Sequence, residues 1–253
     1  MPSETLTFDQ VHLGVPNPQA AAEWYQRYLG ATQGDHTDRV MFGPTRFIFL
    51  KNDTPIPGQG AAIDHVGVSF ANLDAQTTRL EGSGMRAITP VNSAAGVYRS
   101  GIIEDPWGAR IELLEDPETL GFHHVHLQVP DPDTSRRWYV EMFGGTVSML
   151  KGQVEGIKYG DVWLFTGRGA GEPSGGHTID HIGWRMPDLL AKASELKAKG
   201  LAFTTEPHPG PNAPHAPVLM SFTADPWGVK IELLQRHEDA GLHSRPAPPR
   251  DPS

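Results

Sequence analysis

Phe8-Asp-Gln-Val-His-Leu-Gly-Val-Pro-Asn-Pro18 returns 114 residues later as Phe122-His-His-Val-His-Leu-Gln-Val-Pro-Asp-Pro132. The match runs on through Trp24-Tyr25 against Trp138-Tyr139 and Gly30 against Gly144, so a strand, a turn and the following helix are duplicated. Ile63-Asp-His-Val-Gly67 pairs with Ile179-Asp-His-Ile-Gly183, and Asp105-Pro-Trp-Gly-Ala-Arg-Ile-Glu-Leu-Leu114 with Asp225-Pro-Trp-Gly-Val-Lys-Ile-Glu-Leu-Leu234. The offset grows along the chain, which places insertions in loops, chiefly near the Pro-rich stretch from Glu206 to Pro217.

Each half divides again, because an apolar strand carrying His or Gln opens both of its parts; four modules result. Each reads as a strand, a helix and then short strands. In the third module Trp138, Tyr139, Val140 and Phe143 follow the 3.6-residue period of a helix packed on a sheet, with Asp131 or Asp133 as its cap. In the fourth, a helix is predicted from Leu189 to Lys199, stopped by Gly200.

Composition narrows the function. The 253 residues include 28 Gly and 23 Pro, which favours many turns and short strands. There is no cysteine, so disulfides, thiolate metal sites and cysteine nucleophiles are excluded, and any metal must be held by His, Asp, Glu or Gln. Lys+Arg 21 against Asp+Glu 30 gives a net charge of -9, which repels a phosphate backbone and excludes nucleic acid as a partner. The longest strongly apolar run, Phe47 to Leu50, falls far short of the roughly 20 residues of a membrane span, and Met1 to Gln10 has no signal-peptide pattern. A soluble, cytoplasmic protein is expected, with no membrane partner. No phosphate loop surrounds Gly167, Gly169 and Gly171, and no Gly-x-Ser-x-Gly elbow occurs.

Alternation along a strand puts Val125, Leu127 and Val129 on one face and His124, His126 and Gln128 on the other. The apolar face meets the helix, so the histidines face a site. Glu232 stands by the same parity where a core residue is expected, and a buried carboxylate needs a partner or a metal. Two imidazoles and a carboxylate, His124, His181 and Glu232, would make the facial triad used for non-heme Fe(II). Gln10, His65 and Glu112 occupy the same positions in the first half and form a second, weaker candidate site.

The repeated modules, the His of the opening strand and the closing Asp-Pro-x-Gly-x-x-Ile-Glu-Leu resemble the vicinal oxygen chelate superfamily, which includes glyoxalase I, bleomycin-binding proteins and type I extradiol dioxygenases. The resemblance covers roughly residues 6 to 236. It implies an α+β fold of four βαβββ modules, paired into two half-barrel domains: 1–117, and 118–236 with the metal site, followed by a disordered tail at 237–253. Carried across, the metal ligands fall on His124, His181 and Glu232. A fourth, glyoxalase-type carboxylate near Trp163 or Leu164 is missing, and the tyrosine of the extradiol signature is Phe222.

The expected activity is that of an Fe(II)-dependent dioxygenase, an oxidoreductase acting with dioxygen on a small catechol-like substrate bound through two vicinal oxygens, with His215 or His126 as the acid–base group. The alternative is a glyoxalase- or epimerase-type isomerase or lyase using Zn, Ni, Co or Mn. A further alternative is a metal-free drug-binding protein with Trp163, Phe165 and Trp184 as aromatic walls. Tyr98 is read as core packing or a cavity hydroxyl, Trp107 and Trp227 as turn packing, and no role is assigned to His123, His177, His208, His237 or His243. Exposed sheet edges favour a homodimer.

Overall fold

A computed structural model describes residues 6–92, 97–211 and 217–236. The first module contains β1 (Thr7–Val15), α1 (Pro18–Leu29), β2 (Thr32–Gln33), β3 (Arg39–Phe42) and β4 (Thr45–Lys51). The second contains β5 (Ile63–Phe70), α2 (Leu73–Arg79), β6 (Arg86–Asn92), β7 (Ser100–Glu104) and β8 (Arg110–Glu115). The third contains β9 (Gly121–Val129), α3 (Pro132–Phe143), β10 (Thr146–Leu150), β11 (Val154–Tyr159) and β12 (Val162–Arg168). The fourth contains β13 (Ile179–Arg185), α4 (Leu189–Ala198), β14 (Phe203–Pro209), β15 (Leu219–Ala224) and β16 (Lys230–Gln235). The fold is α+β, with the strand, helix and three strands expected of every module.

Short polar side chains start all four helices by accepting a free backbone N–H: Asn17 from Ala20, Asn72 from Ala75, Asp131 from Asp133 and Thr134, and Asp188 from Ala191. Asp131, not Asp133, is the cap of α3. In the Asp-Pro-Trp-Gly turns, Asp105 accepts from the backbone of Trp107 and Ala109 and from the Tyr25 hydroxyl. Asp225 does the same for Trp227, Val229 and Tyr139. A buried tyrosine on each long helix is thereby tied to a closing turn.

The two sheets do not follow the two halves of the chain. One runs β14-β15-β16-β13-β1-β4-β3-β2 and the other β10-β11-β12-β9-β5-β8-β7-β6. The outer modules share one sheet and the inner modules the other, joined through antiparallel pairs β1 with β13 and β5 with β9. Residues 52–62 and 169–178 carry the chain from one sheet to the other and lie against each other. Bridges join Ile56 to His177 and Ala61 to Glu172, and His177 is bonded through Nδ1 to the Pro57 carbonyl, 2.9 Å away.

Each opening strand carries a bulge at the central junction. Asp9 is the extra residue of β1, Asp180 of β13, His123 of β9 and Asp64 of β5. A bulge re-aims the side chains next to it. Behind the strands Val125, Leu127 and Val129 are fully buried, as alternation requires. Trp184 is buried too, stacked on Phe143 and edge-on to Phe8, so it is a core residue and not a wall of a binding site.

Candidate metal centre

On the inner sheet, β9 supplies His124 and His126, β5 supplies His65 and β8 supplies Glu112. Glu112 Oε2 lies 3.2 Å from His124 Nε2 and 3.6 Å from His65 Nε2, yet both nitrogens are buried without a hydrogen bond. One ring nitrogen each of His65, His124 and His126 falls within 4.8 Å of the others. Gly67 makes the arrangement possible: it faces His124 across the strand pair, and a Cβ there would stand 2.1 Å from the ring. The Nδ1 of His65 is bonded to Asp64 Oδ2 at 2.6 Å, and Asp64 to Arg110 at 2.6 Å, which aims Nε2 at Glu112.

The equivalent positions of the outer sheet are Gln10 and His12 on β1, His181 on β13 and Glu232 on β16. Here Gln10, His181, Glu232 and Arg236 satisfy one another, while both ring nitrogens of His12 are buried without a hydrogen bond, Nε2 3.5 Å from Glu232 Oε2. Glu232 Oε2 accepts from Gln10 Nε2 at 2.5 Å and lies 3.2 Å from His181 Nε2, while Gln10 Oε1 accepts from Arg236 at 3.0 Å. Arg236 also donates to Asp9, and His181 Nδ1 is bonded to Asp180 at 2.5 Å. His12 stacks on His181 with ring centroids 4.1 Å apart. His12, His181 and Glu232 lie close enough to share an ion, but the amide of Gln10 presents an N–H to the carboxylate and its oxygen is held by a guanidinium.

The set expected to hold metal, His124, His181 and Glu232, is therefore not brought together: His124 is on the inner sheet, the other two on the outer. Gln10, His65 and Glu112 are likewise divided, with Gln10 on the outer sheet. The cause is the exchange of modules between halves, which makes His65 and Glu112 the neighbours of His124. His215 lies outside the described residues, as do His237, His243 and the tail at 237–253.

A cavity of about 300 Å³ opens over the inner cluster, lined by His65, Glu112, His123, His124 and His126 with Tyr98, Leu114, Leu150, Val154 and Phe165. Phe165, next to the Trp163–Leu164 stretch that lacks a glyoxalase-type carboxylate, stacks on Trp163 and faces His124 and His126. Tyr98 donates to Asp116 from the cavity wall. His123 was hidden from strict alternation, which sends it to the core face. The bulge brings it beside His124, with the two Nδ1 atoms 2.9 Å apart.

The charges in the cluster are sorted by burial and partners. Burial pushes the Glu112 carboxyl up, but His124 and His65 outweigh it and hold it well below the usual carboxylate range. His65 is pushed down by burial and lifted further by Asp64 and Glu112, so its net movement is upward. Burial lowers His124. It takes His126 down to about 3 and His123 to about 4, with neighbouring imidazoles adding to the effect. The cavity thus holds an anion beside His65, which leans toward its charged form, and the imidazoles of His123, His124 and His126, which lean toward their neutral forms, a donor set suited to a divalent cation that displaces the His65 proton. The two orphaned, converging Nε2 atoms fit such an ion.

Among the described residues no helix is long and apolar enough to cross a membrane. A cyanobacterial protein from Synechocystis sp., named "Probable lactoylglutathione lyase", is 26% identical over 124 residues, covering 44% of this chain and 92% of its own. The fold is that of glyoxalase I from Zea mays, whose crystal structure superposes with a TM-score of 0.74 over 93% of this chain and 94% of that one at 17% identity. A point mutant of the maize enzyme gives 0.71 at 19% identity, with the same shares covered.

The Fe(II) dioxygenase reading, with its iron and oxidoreductase chemistry, is corrected on two grounds. The triad that carried it is not assembled, and the similarity runs to a lyase and to a glyoxalase fold. The model of the Glyoxalase/Bleomycin resistance protein/Dioxygenase superfamily matches residues 7–113 and 121–233, and the chain belongs to that superfamily.

Proposed function

We propose that the inner-sheet cavity is the active site of a glyoxalase- or epimerase-type lyase or isomerase, with a divalent cation held by His65, His124 and Glu112. The observation that carries the reading is the pair of buried Nε2 atoms aimed beside one carboxylate oxygen at the floor of a cavity. The lyase name of the Synechocystis relative supports the reaction class. Zn, Ni, Co or Mn all suit a site of imidazoles and a carboxylate without redox change. When bound, the ion supplies Lewis-acid polarisation of two vicinal substrate oxygens.

The remaining chemistry belongs to the chain. Asp64 fixes the His65 ring, so its Nε2 stays directed at the centre. Phe165, Leu114, Leu150 and Val154 exclude water from the substrate's carbon skeleton. His126, half-buried at the cavity wall and neutral at pH 7, receives the proton that leaves the carbon next to the carbonyl and returns it to the neighbouring carbon.

The test is turnover of a 2-oxoaldehyde–thiol adduct by protein loaded separately with Zn, Ni, Co or Mn. Turnover is expected, reduced by about 10²–10⁴-fold in His126→Ala. Inactivity of every loaded form, or full activity of the alanine variant, overturns the assignment. A homodimer is proposed for the assembly, and sedimentation of the same preparations tests it.

A further inference from the structure

We propose that His123 is a positioning residue that biases His124 toward the tautomer protonated at Nδ1, with the Nε2 lone pair directed into the cavity. The inference rests on the reading of His124 as a metal ligand. Its starting point is the bulge of β9: Gly67 faces His124 and Val68 faces Phe122, so His123 has no partner across the strands and its ring turns to the side of His124. The two rings stand nearly perpendicular, at 87°, with Nδ1 facing Nδ1 at 2.9 Å.

Only one proton fits between two Nδ1 atoms at that distance. A neutral imidazole carries a single N–H, so the donor in this pair keeps its lone pair on Nε2, and the acceptor carries its proton on Nε2. Coordination through His124 Nε2 requires His124 to be the donor. His123 must then bear its proton on its own Nε2. That nitrogen is buried without a hydrogen bond, and the acid facing it is Asp116, with Oδ2 3.9 Å away. A carboxylate in that position favours the N–H over the lone pair; Glu112, 3.2 Å from His124 Nε2, pulls the other way until a cation takes up its charge.

Asp116 cannot swing aside. Its Oδ2 accepts from the Tyr98 hydroxyl at 2.9 Å, its Oδ1 from the backbone of Glu118 at 3.1 Å, and its carbonyl from the Ser69 hydroxyl at 2.8 Å. Tyr98 hydrogen-bonds to Asp116 and His123 to His124, and between the two pairs the Asp116 carboxylate acts on His123 across 3.9 Å. His65 needs no such relay, because Asp64 can only accept and leaves its Nδ1 one choice. His124 alone in the inner cluster leans on a neighbour able either to donate or to accept.

The experiment follows the imidazole nitrogens of His124 by long-range ¹H–¹⁵N correlation in metal-free and Zn-loaded protein, together with Zn affinity by chelator competition. In the native chain His124 is expected to be a mixture of tautomers before metal is added, because His123 and Glu112 compete for its proton, and to be protonated at Nδ1 in the Zn-loaded form. His123→Phe removes the acceptor: a shift to the Nε2-protonated tautomer in metal-free protein, facing Glu112, and a 10–100-fold weaker Zn affinity are expected. His123→Asn restores an acceptor oxygen and should recover both readings. An unchanged tautomer and affinity in His123→Phe, or an asparagine variant as impaired as the phenylalanine one, overturns the proposal. If the phenylalanine variant does not fold, Asp116→Asn carries the test, with a shift of metal-free His124 toward the Nε2-protonated tautomer expected and an unchanged spectrum overturning it. His124→Ala separates the two levels. Undiminished Zn binding there defeats the metal-site reading itself, whereas loss of Zn in His124→Ala without any effect at His123 defeats only the relay.

Discussion

Glu112 and Glu232 close equivalent modules, yet they stand in opposite situations. Glu112 faces two imidazole nitrogens that bond to nothing and a cavity above them, while Glu232 is already engaged by Gln10 and His181 and leaves only His12 beside it without a hydrogen bond. The difference traces to a few positions. Where the inner sheet has His124 preceded by His123, the outer sheet has Gln10 preceded by Asp9, and Arg236 fills the space between them. An amide and a guanidinium supply the positive ends that a cation would otherwise provide. One ancestral arrangement can therefore be kept open for a ligand or closed into a strut by donors of its own.

The largest effect that could break this comparison is on metal content. His65→Ala should abolish bound divalent metal, while His181→Ala should leave it at the wild-type level, as read by elemental analysis of protein loaded with Zn and desalted. Equal losses in both would show that the outer cluster holds an ion as well.

Removal of Arg236 sharpens the comparison from the other side. Arg236→Leu strands the carboxylate of Asp9, which is 2% exposed, with Arg46 at 3.2 Å as a remaining partner, so a cost of about 3 kcal/mol in urea unfolding is expected. Zn affinity should not move. A variant as stable as wild type would mean that the outer network is not the strut described here.

The smallest effect is on pH dependence in metal-free protein. Burial lowers His181, but Asp180 and Glu232 more than reverse this, so its folded value is raised. The stability it contributes is complete below about pH 6.5, the unfolded value, and is lost as the pH rises through the folded one. The melting-temperature gap between wild type and His181→Gln should thus be wider at pH 6 than at pH 9. His126 has the opposite sign: held down at about 3 by burial, it is protonated first in the unfolded chain, so it costs stability as the pH falls from about 6.5 toward 3. In His126→Gln the acid-side loss should shrink, and identical profiles for the two variants would remove the distinction.

Much of this was legible in the sequence, and what was not has a physical cause. The module order, the α3 cap to within Asp131 or Asp133, and the polar-face parity of His124, His126 and Glu232 follow from periodicity and capping chemistry. The partnership of modules does not, because all four opening strands carry the same alternation and any two could pair. His124 was for that reason grouped with His181 instead of His65. Alternation also fails at a bulge, where His123, Asp64, Asp180 and Asp9 stop following the two-residue period. The Asp-His pairs at 64–65 and 180–181 were visible as a repeated motif, with Gly67 and Gly183 two residues on. Only the fold shows that those glycines make room for His124 and Gln10 on the facing strand.

The nested order of the sheets also sets a timetable for synthesis. The inner sheet has all of its strands once residue 168 has been made, so the cavity cluster can assemble while the chain is still growing. β1, translated first, waits for β13 and β16 near the end before its polar face can be covered. For about the last third of translation the nascent chain would thus carry a complete inner sheet and an N-terminal strand paired only with β4, making the outer sheet the place where slow folding and chaperone contact concentrate.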